Sequence, residues 1–558
     1  MRRLWIRLAL LTIAVVSLQR NPAAVTPRFY SDDPLAREPE TQDASAARES
    51  DIDLFVDLAI NLFGKPGDNR NGVATGNTNT IDELPDSSWF TNRILARPVT
   101  IADAVRGSGT GSGVAPGPWT IVSPKDIGAA PGFTMRDIAG ETWFVSFDAR
   151  GFPEAATGAV VVANKIFWTL GYWQTDTVLT SIRPDQITIA DTAMVKPMSG
   201  KKRKMRRSDL DDVFARAQRS PDGSYRAAAA RRLPGKPLGG FRYYGTRPDD
   251  PNDLVPHEHR RELRALQVFG AWTNLVDLKA GNTLDMLVPD GGRSLVRHYL
   301  QDVGSTFGTG ANAPREYFEG WEHLWEGDLV WKRFVLLGFP IRPWQTIPYQ
   351  DNDAIGRFES ASFDPRAWRP RAPVGALRHV QPDDLFWAAR RVMAFSDEMI
   401  RGLVHTGAYS NPQDEQHLAG VLIARRDKLG ATYLNAITPL VDFALTAGGE
   451  LSFSNAAVAA GVAQPPGAGY QIEWANFDNT TGAVSAIGGS RAAGEHSSAP
   501  AALPPAMGSF VRVRISVADA AADLKPVDAF FRRNQSGWAL VGIDRGISTT
   551  TALKEKTS

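Results

Sequence analysis

The chain has 558 residues, a formal net charge of +1 and no cysteine. That length allows roughly two to four domains, and the near-neutral charge argues against a nucleic-acid or acidic-surface partner. The missing cysteines exclude disulfides, thiolate metal sites, cysteine nucleophiles and lipid attachment through a lipobox.

In chain order, Arg2, Arg3 and Arg7 precede an apolar run from Leu8 to Leu18, the layout of a secretory signal. The run is shorter than the ~20 residues a membrane span needs. Residues 1–25 are therefore expected to be a signal peptide, cleaved near Ala23 or Ala24, or an N-terminal anchor. Either places the protein in the periplasm or cell envelope. Residues 26–110 read as an N-terminal extension. Its first part, rich in Pro, Ala, Asp and Glu, is an extended leader. The spacing of apolar residues from Asp51 to Phe63 predicts one amphipathic helix. A polar loop over Gly64–Asn79 follows, then a capping-type start at Asp86–Phe90.

Trp119–Ser123, Phe133–Arg136 and Glu141–Phe147 are predicted as a three-strand meander. A glycine-bearing turn over Lys125–Gly132 joins the first two. Pro153–Leu170 reads as a helix stopped by Gly171. The basic run Lys201–Arg207 reads as a solvated connection rather than a nucleic-acid site. A helix over Ser208–Arg219 follows, then two strand-like pieces between Ser224 and Tyr244. His257–Val276 is predicted as one long helix capped near Asp253. Met286–Val288 and Ser294–Leu300 form a hairpin around Pro289–Gly292. Pro314–Leu445 is expected to be mostly helical, with Trp321, Trp325, Trp331 and Trp344 in the core rather than on a carbohydrate platform. After Thr446 the composition turns to Gly, Ala and Ser with short alternating runs, a small β-rich module.

One constellation carries chemistry. The predicted long helix runs into Asn274-Leu275-Val276-Asp277-Leu278-Lys279-Ala280-Gly281-Asn282, and the hairpin runs into Gln301-Asp302-Val303-Gly304. Phosphoryl transfer from ATP needs a carboxylate to orient the attacking hydroxyl. It also needs an amide oxygen and a second carboxylate to hold magnesium on the phosphates. Asp277, Asn282 and Asp302 have that order and context. Asp277 and Asp302 also fit as helix-cap and turn residues.

Asp277–Asn282 matches the D-L-K-x-x-N catalytic loop of protein kinases, and Asp302-Val303-Gly304 resembles their metal-binding D-F-G. With the upstream strands and helix, Trp119–Leu445 resembles the protein-kinase-like superfamily. It looks closer to its atypical exported branches (HipA-like, spore-coat CotH-like and secretory-pathway kinases) than to signalling kinases. The segment Arg247–Asp253 with His257–Arg261 also looks like the signature of an uncharacterised bacterial family to which no activity attaches. The resemblance implies an α+β, bilobal protein-kinase-like core. A small β-rich N-lobe and connection would span 111–255, a helical C-lobe 256–445, and a β-rich module and tail 446–558. It implies ATP with magnesium or manganese, Asp277 as the catalytic residue, and Asn282 and Asp302 as metal ligands.

The chain departs from that pattern. Ser146 stands where the third strand should present a lysine, and Val160 where the following helix should offer its partner glutamate. Leu275-Val276 replaces His-Arg before Asp277. Two readings follow. Lys125, at a turn with Gly128 and Gly132, reaches the phosphates in place of the missing lysine, with Lys236 the weaker candidate. Alternatively the protein is a pseudokinase that binds nucleotide or a partner and transfers little. The glycines also fit turn geometry alone. A non-catalytic envelope protein, binding a protein partner through this scaffold and the β module, is the alternative function. His257 and His259 lie two apart and would point to different faces of a helix, which argues against zinc. Neither HExxH nor GxSxG occurs in usable context.

Overall fold

Asp53 opens the first helix, α1 (Leu54–Phe63), by accepting from the backbone N–H of Phe55 and Val56, two of the amides a helix start leaves unpaired. The computed structural model describes residues 26–125, 128–196, 200–336, 342–349, 352–518 and 524–546. The expected signal segment and Asp126-Ile127 of the glycine-bearing turn lie outside them. The leader before α1 is extended and tied down at both ends. Phe29 is buried against Phe477 and Phe530 of the C-terminal region, and Ala44 and Ala47 pack on Leu238. At Asp86–Phe90, Ser87 Oγ accepts from the N–H of Trp89 and Phe90, making a turn that buries both aromatics. A second helix, α2 (Ile101–Arg106), starts at a capping box between Thr100 and Asp103.

The meander follows its period-two alternation as β1 (Trp119–Pro124), β2 (Gly132–Arg136) and β3 (Thr142–Phe147). Helix α3 (Ala155–Leu170), β4 (Thr177–Ile182) and β5 (Ile187–Ile189) follow. Strand β7 (Arg203–Lys204), within the basic run, pairs with β6 (Met194–Val195) as a small two-stranded sheet before α4 (Arg207–Arg216) and β8 (Tyr225–Arg231). The other strands form a six-stranded sheet of order β4-β8-β3-β2-β1-β5. One face buries Phe133, Trp143 and Phe147 against Leu210 and Phe214 of α4. Helix α3 sends Val162, Ile166 and Phe167 into the core of the following helical region.

Strand β9 (Lys236–Pro237) precedes a segment that departs from expectation. The long helix over His257–Val276 is broken into a 3-10 turn at His257–His259, α5 (Arg261–Arg264) and α6 (Leu266–Thr273). The break falls at Arg260, whose backbone is extended. Arg260, Arg261 and Arg264 are all buried, and each is drawn to carboxylates from distant segments. Asp253 is not a helix cap. It pairs with His257 at 2.8 Å and Arg260 at 3.5 Å.

The predicted hairpin is present as β10 (Leu284–Asp290) and β11 (Arg293–Tyr299), with β9 on its outer edge. The expectation of mostly helix from Pro314 needs correction. Among the described residues up to 374 only α7 (Gly327–Val335) and a 3-10 turn at Pro343–Thr346 are helical. Pro314, Pro348, Pro365, Pro370 and Pro373 interrupt helical hydrogen bonding there. Helices return as α8 (Gly375–Arg378), α9 (Pro382–Met393), α10 (Asp397–His405) and α11 (Pro412–Tyr433), packed with α6 around Phe269, Trp272 and Trp387. Trp325 and Trp331 are exposed rather than in the core, and Trp321 and Trp344 are partly covered.

The β-rich region starts earlier than the composition suggests, with β12 (Leu440–Leu445). It continues through β13 (Glu450–Asn455), α12 (Ala456–Ala459), β14 (Tyr470–Phe477), β15 (Val484–Ala492), β16 (His496–Ser498), β17 (Phe510–Val517), β18 (Val527–Asn534) and β19 (Gly537–Asp544). Three strands, β12-β13-β16, face five antiparallel ones, β15-β14-β17-β18-β19, across a shared core. The fold is thus mixed α+β with several sheets.

Ionic clasps bind the extension to the helices. Glu83 accepts from Trp387 at 2.8 Å, Arg390 at 2.7 Å and Arg391 at 3.1 Å. Burial works to raise its pKa, but Arg391 and Arg390 outweigh it and bring it from 4.5 down to about 2. A folded value below the unfolded one stabilises the fold above pH 4.5, and the benefit disappears as pH falls toward about 2. Glu83→Gln should therefore lose less stability than wild type in urea unfolding between about pH 6 and pH 3. Equal losses would remove Glu83 from the acid sensitivity.

Candidate functional site

Lys125 is the first residue beyond β1, where the chain enters the glycine-bearing turn. Its Nζ donates to Ser146 Oγ on β3 at 2.9 Å. Gly132 stands opposite Ser146 in the β2–β3 register. A Cβ at Gly132 would lie 2.1 Å from the Val145 carbonyl oxygen and 3.2 Å from Lys125 Cδ, so only glycine fits. Gly128 has φ +90°, and a Cβ there would meet Lys125 Cε at 3.5 Å, so both glycines wrap the lysine side chain. Lys125 is exposed as a residue, yet partial desolvation holds its pKa below the ordinary lysine value, while the charge of Asp302 pulls it back up.

The opposing wall begins where α6 ends. Asn274 takes a left-handed conformation, φ 55°, and its Oδ1 accepts from Trp368 Nε1 at 2.9 Å. Asparagine tolerates that conformation, which redirects the chain into Leu275–Asn282. Asp277 accepts from Lys279 Nζ at 2.8 Å and lies 3.7 Å from Arg315. Burial works to raise the Asp277 pKa, but Lys279 and Arg315 prevail and hold it below the ordinary aspartate value. Its carboxylate is therefore ionised at neutral pH. Asn282 Nδ2 donates to the Asp277 carbonyl at 2.8 Å, and the Asn282 carbonyl accepts from Asp302 N–H at 3.0 Å. Asp302 is exposed, and its Oδ1 accepts from Gly304 N–H at 3.0 Å.

Hydrogen bonds link Asp302, Asn282 and Asp277 in turn, and the charge of Asp302 acts on Lys125 across the gap. Helix α3 meets the same point, since a Cβ at Gly304 would lie 3.4 Å from Val160 Cβ. That helix contains no carboxylate, so the lysine finds its partner in Ser146 instead. Lys236 is not in the group. It pairs with Leu287 on β10, three residues along the hairpin from Leu284, roughly 10 Å from the end that carries Asn282 and Asp302. His257 and His259 pair with Asp253 and Asp68, not with each other's ligand. Sequence reasoning passed over three neighbours. Lys279 lies within the motif itself. Arg315 comes from a loop with no recognisable signal. Asn312 donates its side-chain amide to Ala129 of the glycine turn at 3.1 Å.

Among the described residues no group of three or more His, Cys, Asp or Glu side chains could hold a metal. A nucleotide-bound cation needs fewer protein ligands, because phosphates and water complete its shell. With Nδ2 spent on the Asp277 carbonyl, the acceptor left on the Asn282 amide is Oδ1. The Asp302 carboxylate is tied to the same segment through the backbone. Two such oxygen donors fit a hard divalent ion. The comparisons with known proteins name no relative, since no protein-family model, curated protein or solved structure significantly matches the chain.

Proposed function

We propose that the chain is an exported protein-kinase-like ATP-binding protein of bilobal arrangement, with the six-stranded sheet as its small lobe and the α5–α11 region as its large lobe. The observation that carries this reading is the meeting of Lys125 with Ser146 beside Asp302. A cation missing from the third strand is supplied from the end of the first to the same spot. Nucleotide phosphates would lie between Lys125 and the glycine turn on one side and Asn282 and Asp302 on the other. Magnesium or manganese held by Asn282 and Asp302 would neutralise developing charge on the phosphates. Asp277, ionised and half-enclosed, is suited to orient a hydroxyl and accept its proton, which favours phosphoryl transfer. A pseudokinase reading draws on α3, which carries Val160 and no carboxylate to steady the lysine.

Nucleotide binding measured by calorimetry with and without magnesium tests the proposal. Wild type should bind ATP only with the divalent ion. Asp302→Ala should lose that dependence and bind about tenfold or more weakly, while unfolding as wild type does. Equal binding by both proteins would assign Asp302 to the turn it makes with Gly304. No binding by wild type would leave the cleft a scaffold and favour the envelope protein that binds a protein partner. Labelled-phosphate transfer above an Asp277→Ala blank separates enzyme from pseudokinase.

A further inference from the structure

Two helices in this protein turn large apolar side chains to water. In α1, Phe55, Ile60 and Phe63 fall on one face at helical spacing, and that face is in water, with Phe55 87% and Phe63 70% exposed. The covered face carries Asp57 and Asn61 with the half-buried Leu58 and Leu62. The only buried residue of α1 is Asp57, which accepts from Tyr244 at 2.9 Å and pairs with Arg242 at 3.2 Å. Helix α7 also turns aromatic side chains outward, with Trp331 66% and Phe334 73% exposed. Trp325, two residues ahead of α7, links the two surfaces, its ring centroid 6.0 Å from that of Phe63. Polar contacts hold α1 in place, so its outward apolar face is not a by-product of loose packing.

We propose that this joint face of α1 and α7 binds the surface of an anionic lipid bilayer. A continuous exposed patch rich in Phe and Trp marks an interaction site. Aromatic side chains flanked by cations suit the headgroup boundary, where rings enter the acyl region and ammonium groups meet lipid phosphates. Lys65, two residues past Phe63, and Lys332, beside Trp331, are both exposed and supply that charge, while the exposed Asp51 and Asp53 stand at the far, N-terminal end of α1. No helix among the described residues is long and apolar enough to cross a membrane, so the contact is with its surface. The basic and apolar N-terminal run, read as an export signal or anchor, would deliver the chain to such a surface. The patch adjoins the candidate site, since a Cβ at Gly281 would touch Leu54 of α1 at 2.9 Å. The inference does not depend on nucleotide binding.

Vesicle flotation tests it, with phosphatidylcholine vesicles containing about 30% phosphatidylglycerol. The full chain is used with Leu10→Asp and Val15→Asp, so that the N-terminal run does not drive partition. This protein should float. Adding Phe55→Ser with Phe63→Ser, or Trp331→Ser with Phe334→Ser, should each lower partition about tenfold. Lys65→Glu with Lys332→Glu should lower it on anionic but not on neutral vesicles. These residues are exposed, and an unchanged near-ultraviolet circular dichroism spectrum checks the fold. Flotation unaffected by the aromatic substitutions would overturn the proposal, as would no flotation of the parent. A dimer in vesicle-free solution that the same substitutions turn into a monomer would give the face to a second copy of the chain instead.

Discussion

Lys125→Ala is expected to weaken ATP binding in the presence of magnesium by about ten- to a hundredfold, and adding Ser146→Lys to that variant is expected to recover most of the loss. The reason is geometric. Nζ of Lys125 already lies 2.9 Å from Ser146 Oγ, so a lysine rooted at position 146 can place its ammonium in much the same space. Ser146→Lys alone should behave in the opposite way. Two ammonium groups would be brought within a few ångströms of each other, and their repulsion would make one give up its proton or swing away. Binding and stability should both fall in that single variant. Val160→Glu added to the swapped pair would supply the carboxylate that α3 lacks, next to Gly304. Lys236→Ala should bind as wild type does. Calorimetric affinities for the five variants and wild type decide the matter. An unchanged Lys125→Ala, or a weakened Lys236→Ala, would place the phosphates elsewhere.

The largest stability effect is expected at Arg261. Its guanidinium is fully buried and pairs with Asp82 at 2.6 Å, Asp383 at 2.8 Å and Asp384 at 3.1 Å. The three carboxylates come from the N-terminal extension and the start of α9. Asp82 also receives Arg545 at 2.8 Å, from beyond β19, so one cluster joins the extension, the helical region and the β-rich region. Removing the central cation takes a buried partner from all three acids at once, although Asp82 keeps Arg545 and Asp384 keeps Arg264, and breaking such a buried pairing costs about 3–5 kcal/mol. Arg261→Ala should therefore lower the urea midpoint far more than Arg401→Ala, whose pair with Asp397 is exposed and contributes ~0.5 kcal/mol or less. A loss below about 1 kcal/mol at Arg261 would mean that the carboxylates find water or protons when it leaves.

Local chemistry was readable in the chain. Period-two alternation located β1 to β3, and Gly171 ended α3 as its composition indicated. The hairpin of β10 and β11 was legible from its Gly291-Gly292 turn, and the order of Asp277, Asn282 and Asp302 marked the candidate site. These features depend on residues close in sequence, or on backbone preferences that each residue carries with it. Tertiary structure decided the rest. No local signal reveals that Lys125 ends against Ser146, because their contact depends on the pairing of β1, β2 and β3. The apolar spacing over His257–Val276 predicted one helix, but three buried arginines bound to distant acids broke it. In α1 the apolar spacing predicted the helix and not which face would turn inward. Periodicity records that two faces differ, whereas burial depends on what the rest of the chain brings to each, and here Tyr244 and Arg242 bring partners for the charged one.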